Sequence, residues 1–279
     1  MFSIRREQGR LEEVRPFVEV VASAPQGVMA WRPGLAALYA ELGLVDDARA
    51  LLDDIVEDDL ATVPRDSLWT GSLAYLADAC IATAHATAAA VVYRNLLPYS
   101  GLAANASGLS AYGAIDRYLG QLADLLARPT DAARHLEAAL RFDEGTGSPT
   151  WTAHSQYALG VLLSRRTRRE GRVRAQQLIA NAQTTAEALG MAALASRCRA
   201  ALTAIDDVEI DAVDPGLTAR ELAILRLVAQ GKTNKAVGED LHVSQHTVAN
   251  HVRAILLKTG CANRAEASAW AQRRGLLGR

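Results

Sequence analysis

The pattern of apolar and polar positions changes near residue 202. Before it, small and apolar residues recur at the three- and four-residue spacing of amphipathic helices, and alternating strand-type runs are scarce. After it, an acidic segment containing Pro and Gly precedes four short helical patterns. We therefore predict an all-α chain with a repetitive region at 1–205, a linker at 206–216 and a compact domain at 217–279.

The N-terminal region repeats with the period of a helix pair. Gly9–Val18 matches Gly43–Leu52 nearly position for position, an offset of 34 residues, and later repeats are less regular. Small residues recur where two helices must approach closely. The predicted units pair Leu35-Ala36 with Ala48, Leu76-Ala77 with Ala89, Leu119-Gly120 with Ala132, and Leu159-Gly160 with Ala175. Because such pairs complete their core by stacking, we expect a tetratricopeptide-like array.

Two polar segments within this region are predicted to be loops. Asp143–Pro149 has the composition of a turn, and the basic run Arg165–Arg174 is expected to be a solvated loop between the two helices of the last unit. A DNA contact or an anionic ligand is the alternative for the basic run.

Capping residues mark the first and last helices of the C-terminal domain. Thr218 with Glu221 forms a capping box, and Asn263 is supported in the same way by Glu266. Glycines at 231 and 275 are expected to end these helices.

Two helices between them are predicted to form a helix-turn-helix. Thr233 caps a helix to about 241, and Ser244 caps a longer one to about 259. Only His242 and Val243 join them, so the helices must cross at a large angle. The predicted core consists of Leu222, Leu225, Val228, Val237, Leu241, Val243, Val248, Val252 and Ile255.

The longer of these helices carries polar residues without a negative charge. No carboxylate occurs from Ser244 through Lys258, although a solvated helix usually mixes both signs. The chain has a net charge of −1, yet Asp214–Arg279 holds ten basic and five acidic residues. A basic domain with hydroxyl, amide and cationic groups on one helix suits a polyanion with hydrogen-bonding base edges.

These residues resemble the LuxR-type helix-turn-helix. The likeness lies in Leu217–Leu225, Gly231–Val237, Val243–Val252, Leu257–Gly260, Asn263–Ala267 and Arg274–Leu277. It implies a sequence-specific transcriptional regulator that binds double-stranded DNA as a homodimer. The recognition helix, about 244–259, would enter the major groove, and the fourth helix would support dimerisation. Contact with RNA polymerase is a further implied interaction.

The resemblance also implies individual contacts. Base contacts would come from Ala249, Asn250 and Arg253. Phosphate contacts would come from Thr233, Asn234, Ser244, Gln245, His246, Thr247 and Lys258. The chain departs from the family at Ala249, where Lys is common, and at Val237-Gly238, where Ile-Ala is common. A glycine inside a short helix is expected to cost about 1 kcal/mol.

The N-terminal region is similar, more loosely, to the helical region of large ATP-binding LuxR regulators. Their nucleotide-binding module is absent from this sequence, so the chain is either a short natural protein or the C-terminal part of a longer one. We expect the array to bind an effector or a protein partner.

Other chemistry finds little support in the sequence. Gly231-Lys232-Thr233 imitates a P-loop, but Arg226 stands where the first glycine is required. The spacing of His242, His246 and His251 does not favour a metal site, and three distant cysteines suggest reduced thiols. We expect no enzyme activity, no cofactor, no membrane segment and a cytoplasmic location.

Two other functions remain as alternatives. The chain could be an interaction scaffold whose repeats bind a partner and whose C-terminal domain mainly dimerises. A sigma-type initiation factor shares a similar helix-turn-helix, but the capped fourth helix and the upstream repeats disfavour it.

Overall fold

The computed structural model divides the chain into two compact units, Met1–Leu202 and Thr203–Arg279. It describes residues 2–16, 19–20, 28–106, 110–165, 169–212, 216–273 and 276. Helices dominate both units, as the sequence predicted, so the all-α fold class is confirmed.

Helix pairs build the N-terminal unit. Among the described residues its helices are α1 Phe2–Glu7, α2 Val28–Glu41, α3 Val45–Val56, α4 Trp69–Thr83, α5 Ala86–Leu96, α6 Ile115–Leu125, α7 Pro129–Thr146, α8 Pro149–Ser164, α9 Arg169–Ala188 and the first part of α10 Ala192–Ala212, whose residues from Thr203 onward belong to the second unit. Each of the four pairs α2–α3, α4–α5, α6–α7 and α8–α9 packs internally, and the first helix of each pair also contacts the first helix of the next. This succession matches the predicted units, whereas their assignment as tetratricopeptide repeats stays a prediction.

Glycines allow the closest helix approaches within these pairs. A Cβ atom at Gly120 would lie 2.5 Å from Cγ of Leu136, and one at Gly160 would lie 2.5 Å from Cγ1 of Ile179. Neither separation is tolerated by real side chains, so the small residues are required by the packing. The alanines at 48, 89, 132 and 175 are likewise buried completely.

The 34-residue repeat at the start of the chain reappears in the backbone. Gly9 and Gly43 both adopt left-handed φ values, +70° and +78°, and both end a helix. The following residue donates a hydrogen bond five residues back in each case, from Arg10 to Arg5 at 2.8 Å and from Leu44 to Tyr39 at 2.9 Å. This is the glycine-terminated helix end known as a Schellman motif.

A β-hairpin between α5 and α6 was not predicted. Strands β1 Ala103–Ala106 and β2 Ser110–Ala114 pair antiparallel. The hairpin is held against α4, where the hydroxyl of Thr70 donates to the carbonyl oxygen of Asn105 at 3.0 Å. Its small residues have low strand propensity, so tertiary contacts rather than local preference select this conformation.

Three segments that were predicted to be irregular are partly helical. Helix α7 continues to Thr146, and α9 begins at Arg169 in the basic run, while residues 166–168 lie outside the described residues. Helix α10 likewise continues through the first seven residues of the predicted linker 206–216. The expected irregular structure is wrong there, because residues 206–212 contain no Gly or Pro and Pro215 is the first helix-breaking residue, while the role of 206–216 as a linker stays a prediction.

Four further helices form the C-terminal domain. They are α11 Ala219–Ala229, α12 Asn234–Leu241, α13 Gln245–Thr259 and α14 Arg264–Arg273. These bounds agree with the predicted caps. Glycine 275, the predicted stop of the last helix, lies outside the described residues.

Candidate nucleic-acid interface

A small apolar core fixes the orientation of α13. Buried side chains from all four helices meet there: Ile224, Leu225, Val228, Ala229, Val237, Val248, Ile255, Ala267 and Ala271. The predicted contribution of Leu222 is wrong, since this side chain is half-buried and Ile224 takes its place in the core. Because Val248 and Ile255 point into the core, the opposite face of α13 must face outward.

The turn between α12 and α13 depends on a glycine. His242 adopts a left-handed conformation with φ +54°, and Val243 donates its N–H to the carbonyl oxygen of Gly238 at 2.9 Å. A Cβ atom at Gly238 would lie 2.6 Å from the carbonyl oxygen of Val243. The glycine that looked costly in a short helix therefore allows a close approach of backbone to backbone.

The predicted N-caps of α11, α12 and α13 form direct side-chain hydrogen bonds. Thr218 and Glu221 form both bonds of a capping box. The hydroxyl of Thr233 accepts from Ala236 N at 3.3 Å, and that of Ser244 accepts from Thr247 N at 3.0 Å. Exposed N-terminal turns carry partial positive charge, so both α12 and α13 favour a nearby anion.

The fourth cap, at Asn263, is also confirmed. Its carboxamide oxygen accepts from Glu266 N at 2.9 Å, while its nitrogen donates to the Glu266 carboxylate at 2.9 Å. This pair fixes the start of α14.

The predicted base-reading residues share the outward face of α13. At 100° per residue, Ala249, Asn250 and Arg253 lie within about one third of the helix circumference. Asn250 and Arg253 are exposed, and Arg253 Nη1 lies 3.5 Å from Oδ1 of Asn250. An amide beside a guanidinium presents the donors and acceptor that recognise purine edges.

The predicted phosphate contacts cluster mainly at the starts of α12 and α13. Thr233, Ser244, Gln245 and His246 are exposed. Asn234 and Thr247 are half-buried, and the hydroxyl of Thr247 lies 2.8 Å from that of Ser244. Asn234 accepts a hydrogen bond from Arg264 of α14 at 2.9 Å, which holds its amide at the start of α12.

Lys258 differs from the other predicted phosphate contacts. Its ammonium donates to both carboxylate oxygens of Glu221, at 2.7 and 2.9 Å, and to the carbonyl oxygen of Gly216 at 3.1 Å. An ammonium has three protons, so a phosphate contact requires one of these bonds to break. Lys258 also lies roughly 20 Å along the helix axis from Ser244.

The contact between Lys258 and Glu221 also lowers the pKa of the capping-box carboxylate. The hydrogen bond from Lys258, followed by that from the backbone of Thr218, lowers the pKa of Glu221 to about 2. Glu221 is therefore a buried carboxylate that stays ionised and ties α11 to the end of α13.

Lys235 is a candidate that the sequence analysis missed. It is exposed in the first turn of α12, one residue from Asn234. A cation in the first turn opposes the helix dipole, and this unfavourable placement could have drawn attention to it. The neighbouring Lys232 is instead paired with Asp240 at 2.5 Å.

The sequence analysis also considered a metal site, a membrane segment and the three cysteines. No group of three His, Cys, Asp or Glu side chains is arranged to hold a metal among the described residues. None of the described helices combines the length and apolar composition of a membrane span. Burial raises the pKa of Cys80 to about 12 and that of Cys198 to about 11, whereas Cys261 after α13 is half-exposed.

Comparison with known proteins identifies the domain. The family model of bacterial regulatory proteins of the luxR family matches residues 215–271. The transcriptional regulatory protein LiaR of Bacillus subtilis is 46% identical over 61 residues, covering 22% of this chain and 29% of LiaR. The nitrate/nitrite response regulator protein NarL of Escherichia coli K12 is 43% identical over 54 residues, covering 19% of this chain and 25% of NarL.

A third relative is the HTH-type transcriptional regulator AlkS of Ectopseudomonas oleovorans, 34% identical over 64 residues, which are 23% of this chain and 7% of AlkS. These matches span less than a third of each relative and less than a quarter of this chain. No solved structure matches significantly. The chain thus carries a C-terminal LuxR-family helix-turn-helix domain.

Proposed function

We propose that the protein is a sequence-specific transcriptional regulator, because its residues 215–271 form a LuxR-family domain whose helix α13 is free of carboxylates. Helix α13 enters the major groove of double-stranded DNA, and its outward face reads the bases. The observation that carries this proposal is the outward placement of Asn250 and Arg253 opposite the buried Val248 and Ile255.

Each part of this surface has a distinct role. The N-terminal turns of α12 and α13, with Thr233, Ser244 and the exposed Lys235, hold phosphates and set the register of the helix. Asn250 and Arg253 then supply hydrogen bonds to base edges, and the methyl group of Ala249 suits a thymine methyl.

The phosphate contacts require two amendments of the sequence prediction. We add Lys235, and we assign Lys258 a structural role, because its three protons already have acceptors within the domain. Asn234, Gln245, His246 and Thr247 remain as further proposed contacts around the two helix starts.

The regulator is further proposed to bind as a dimer, with one α13 in each half-site and half-sites about one helical turn apart. Selection of random oligonucleotides by the purified full chain tests this directly. The expected product is a pseudo-palindromic site, and footprinting should show protection on one face of the duplex.

Substitution of Arg253 tests the base contact. Arg253→Ala should weaken binding by about 1–3 kcal/mol and relax the preference at one or two positions in each half-site. Arg141→Ala is the matched control, since it removes the same charge from an exposed position in the N-terminal unit. An unchanged site profile for Arg253→Ala would refute the assignment.

The scaffold alternative makes the opposite prediction. If the C-terminal domain only dimerises, the selection should enrich no sequence and binding to any duplex should stay weak at all salt concentrations.

A further inference from the structure

Helix α1 is attached to the array by side chains from distant helices. Arg6 donates to the carboxylate of Asp78 on α4 at 2.6 Å and also pairs with Glu41, the last residue of α2. The three side chains are largely buried, with 17% of Arg6, 14% of Asp78 and 27% of Glu41 exposed. A guanidinium between two carboxylates is a strongly favoured arrangement when water is largely excluded.

The next residue, Glu7, is paired with a histidine. Glu7 Oε2 lies 3.0 Å from Nε2 of His154 on α8, whose side chain is 9% exposed. Trp151 stacks on His154 with a ring-centroid distance of 5.4 Å, which fixes the imidazole. Adjacent residues of α1 are therefore bound by an acidic pocket and by a histidine.

A further close approach extends the attachment. At the end of the segment, a Cβ atom at Gly9 would lie 3.8 Å from the backbone nitrogen of Ala193 on α10. The segment 2–9 thus touches α2, α4, α8 and α10 and crosses a surface built by successive helix pairs.

A buried cation lies beside the aromatic ring that stacks on His154. Arg117 is 5% exposed, and its guanidinium lies 4.1 Å from the ring centroid of Tyr118 and 5.7 Å from that of Trp151. Its Nε atom has no hydrogen-bond partner among the described residues. The surface therefore combines aromatic walls with charged groups of both signs.

Helix α1 is held by its side-chain contacts rather than by its own backbone. A helix of six residues has little stability of its own, and Ile4 within it is 61% exposed. A separate apolar anchor follows the left-handed Gly9, where Leu11 is buried against Leu35 and Leu38. Loss of the contacts of Arg6 and Glu7 would therefore release α1 and leave this anchor in place.

From these contacts we infer that the surface around Glu41, Asp78 and His154 is a peptide-binding site that α1 occupies as a tethered internal ligand. Its external ligand is a segment of a partner protein with an arginine followed by a glutamate, which displaces α1. The tether gives α1 an effective concentration of about millimolar, so the partner segment must bind more tightly than α1 or be abundant.

The test uses the full chain and a fluorescein-labelled peptide with the sequence of residues 1–10. The double variant Arg6→Ala/Glu7→Ala releases α1 without touching the anchor. It should bind the peptide at least about tenfold more tightly than the wild-type chain, and a peptide carrying Arg6→Ala should lose at least about tenfold in affinity. Adding Asp78→Asn to the released chain should abolish binding.

A matched control removes one positive and one negative charge from another ion pair of the N-terminal unit. Arg165→Ala/Asp124→Ala breaks a pair at 3.1 Å between the end of α8 and α6, which involves no residue of α1 and none of Glu41, Asp78 and His154. This variant should bind the peptide no better than the wild-type chain.

Two results would overturn the inference. One is a released variant with wild-type circular dichroism and Tm that binds neither peptide, or both equally. The other is formation of a stable dimer by the released variant and the wild-type chain in light scattering, which would assign the site to a second copy.

A second measurement covers the case in which the double variant fails to fold. Excess peptide should raise hydrogen exchange in residues 2–8 of the wild-type chain and leave α11–α14 unchanged. Unaltered exchange at millimolar peptide would contradict the inference.

Discussion

Replacement of Glu221 by glutamine should change how the stability of the C-terminal domain depends on pH. In the wild-type chain the pKa of this carboxyl falls from 4.5 to about 2, because it accepts hydrogen bonds from Lys258 and from the backbone of Thr218. A group with a depressed pKa stabilises the folded state above its unfolded pKa, and the stabilisation is lost as the pH falls.

The magnitude follows from the two pKa values. The whole shift corresponds to about 3 kcal/mol, which is an upper value because 34% of the Lys258 side chain is exposed and solvent screens the pair. Protonation of the unfolded chain removes about 1 kcal/mol of this by pH 4 and about 2 kcal/mol by pH 3. The difference in the free energy of unfolding between wild type and Glu221→Gln should therefore decrease by these amounts.

Urea unfolding monitored by pulsed hydrogen exchange measures this change, since peptides from α11 and α13 report the C-terminal domain alone. Glu239→Gln is the matched control, because Glu239 is an exposed carboxylate on α12. The difference in stability between Glu239→Gln and wild type at each pH gives the effect of removing an exposed carboxylate, with which the difference for Glu221→Gln is compared. If the difference in the free energy of unfolding between wild type and Glu221→Gln is the same at pH 7 and pH 4, then Glu221 is not held by Lys258 as described.

Three further predictions concern DNA binding and packing. Lys258→Gln should leave the slope of log K against log salt unchanged, whereas Lys235→Gln should lower its magnitude by about 1 for each protomer, or about 2 for the proposed dimer. Equal slopes for the two variants in filter-binding titrations would contradict the amended contacts. Ser244→Ala should lower the free energy of unfolding by about 1 kcal/mol and also weaken DNA binding, because it removes an N-cap. The control in the same urea titrations is Ser148→Ala, since Ser148 stands at a helix start without a side-chain cap bond. Gly160→Val should lower the free energy of unfolding by about 1–3 kcal/mol or more, because a Cβ atom there would lie 2.5 Å from Cγ1 of Ile179. Gly145→Ala is the control, since a Cβ atom there meets open space, and it should be neutral or stabilising by up to about 1 kcal/mol. A Tm of Gly160→Val at or above that of wild type would refute the close packing.

Local chemistry explains what the sequence could predict. Thr218, Thr233, Ser244 and Asn263 each bond to a backbone N–H three residues on or nearby, so their pattern is visible in a short window of sequence. The close approach at Gly120 was predictable for a similar reason, since the small residue recurs at the same place in successive pairs.

Contacts between residues that are far apart in the sequence could not be predicted from these local patterns. Lys258 and Glu221 are 37 residues apart, and Arg6 and Asp78 are 72 apart. Nothing in the sequence pairs these cations with their carboxylates, and only the folded chain shows the partners. Lys258 was consequently placed among the phosphate contacts.

Competition between local and tertiary effects explains the other differences. The β-hairpin at 103–114 is composed of residues with weak strand preference, yet Thr70 and α4 hold it in place. The acidic segment after residue 205 reads as a linker by charge, but it lacks a helix-breaking residue before Pro215 and continues α10 to Ala212.

The unequal burial of the three cysteines provides a chemical reporter of the proposed interface. Cys80 and Cys198 are shielded by packing and their raised pKa values keep them as unreactive thiols, while Cys261 is half-exposed one residue after the glycine that ends α13. An alkylating dye will therefore mark the native chain at a single position, beside the recognition helix. No cysteine has to be introduced or removed, so the rate of labelling in the unaltered protein tests whether added DNA covers the end of α13.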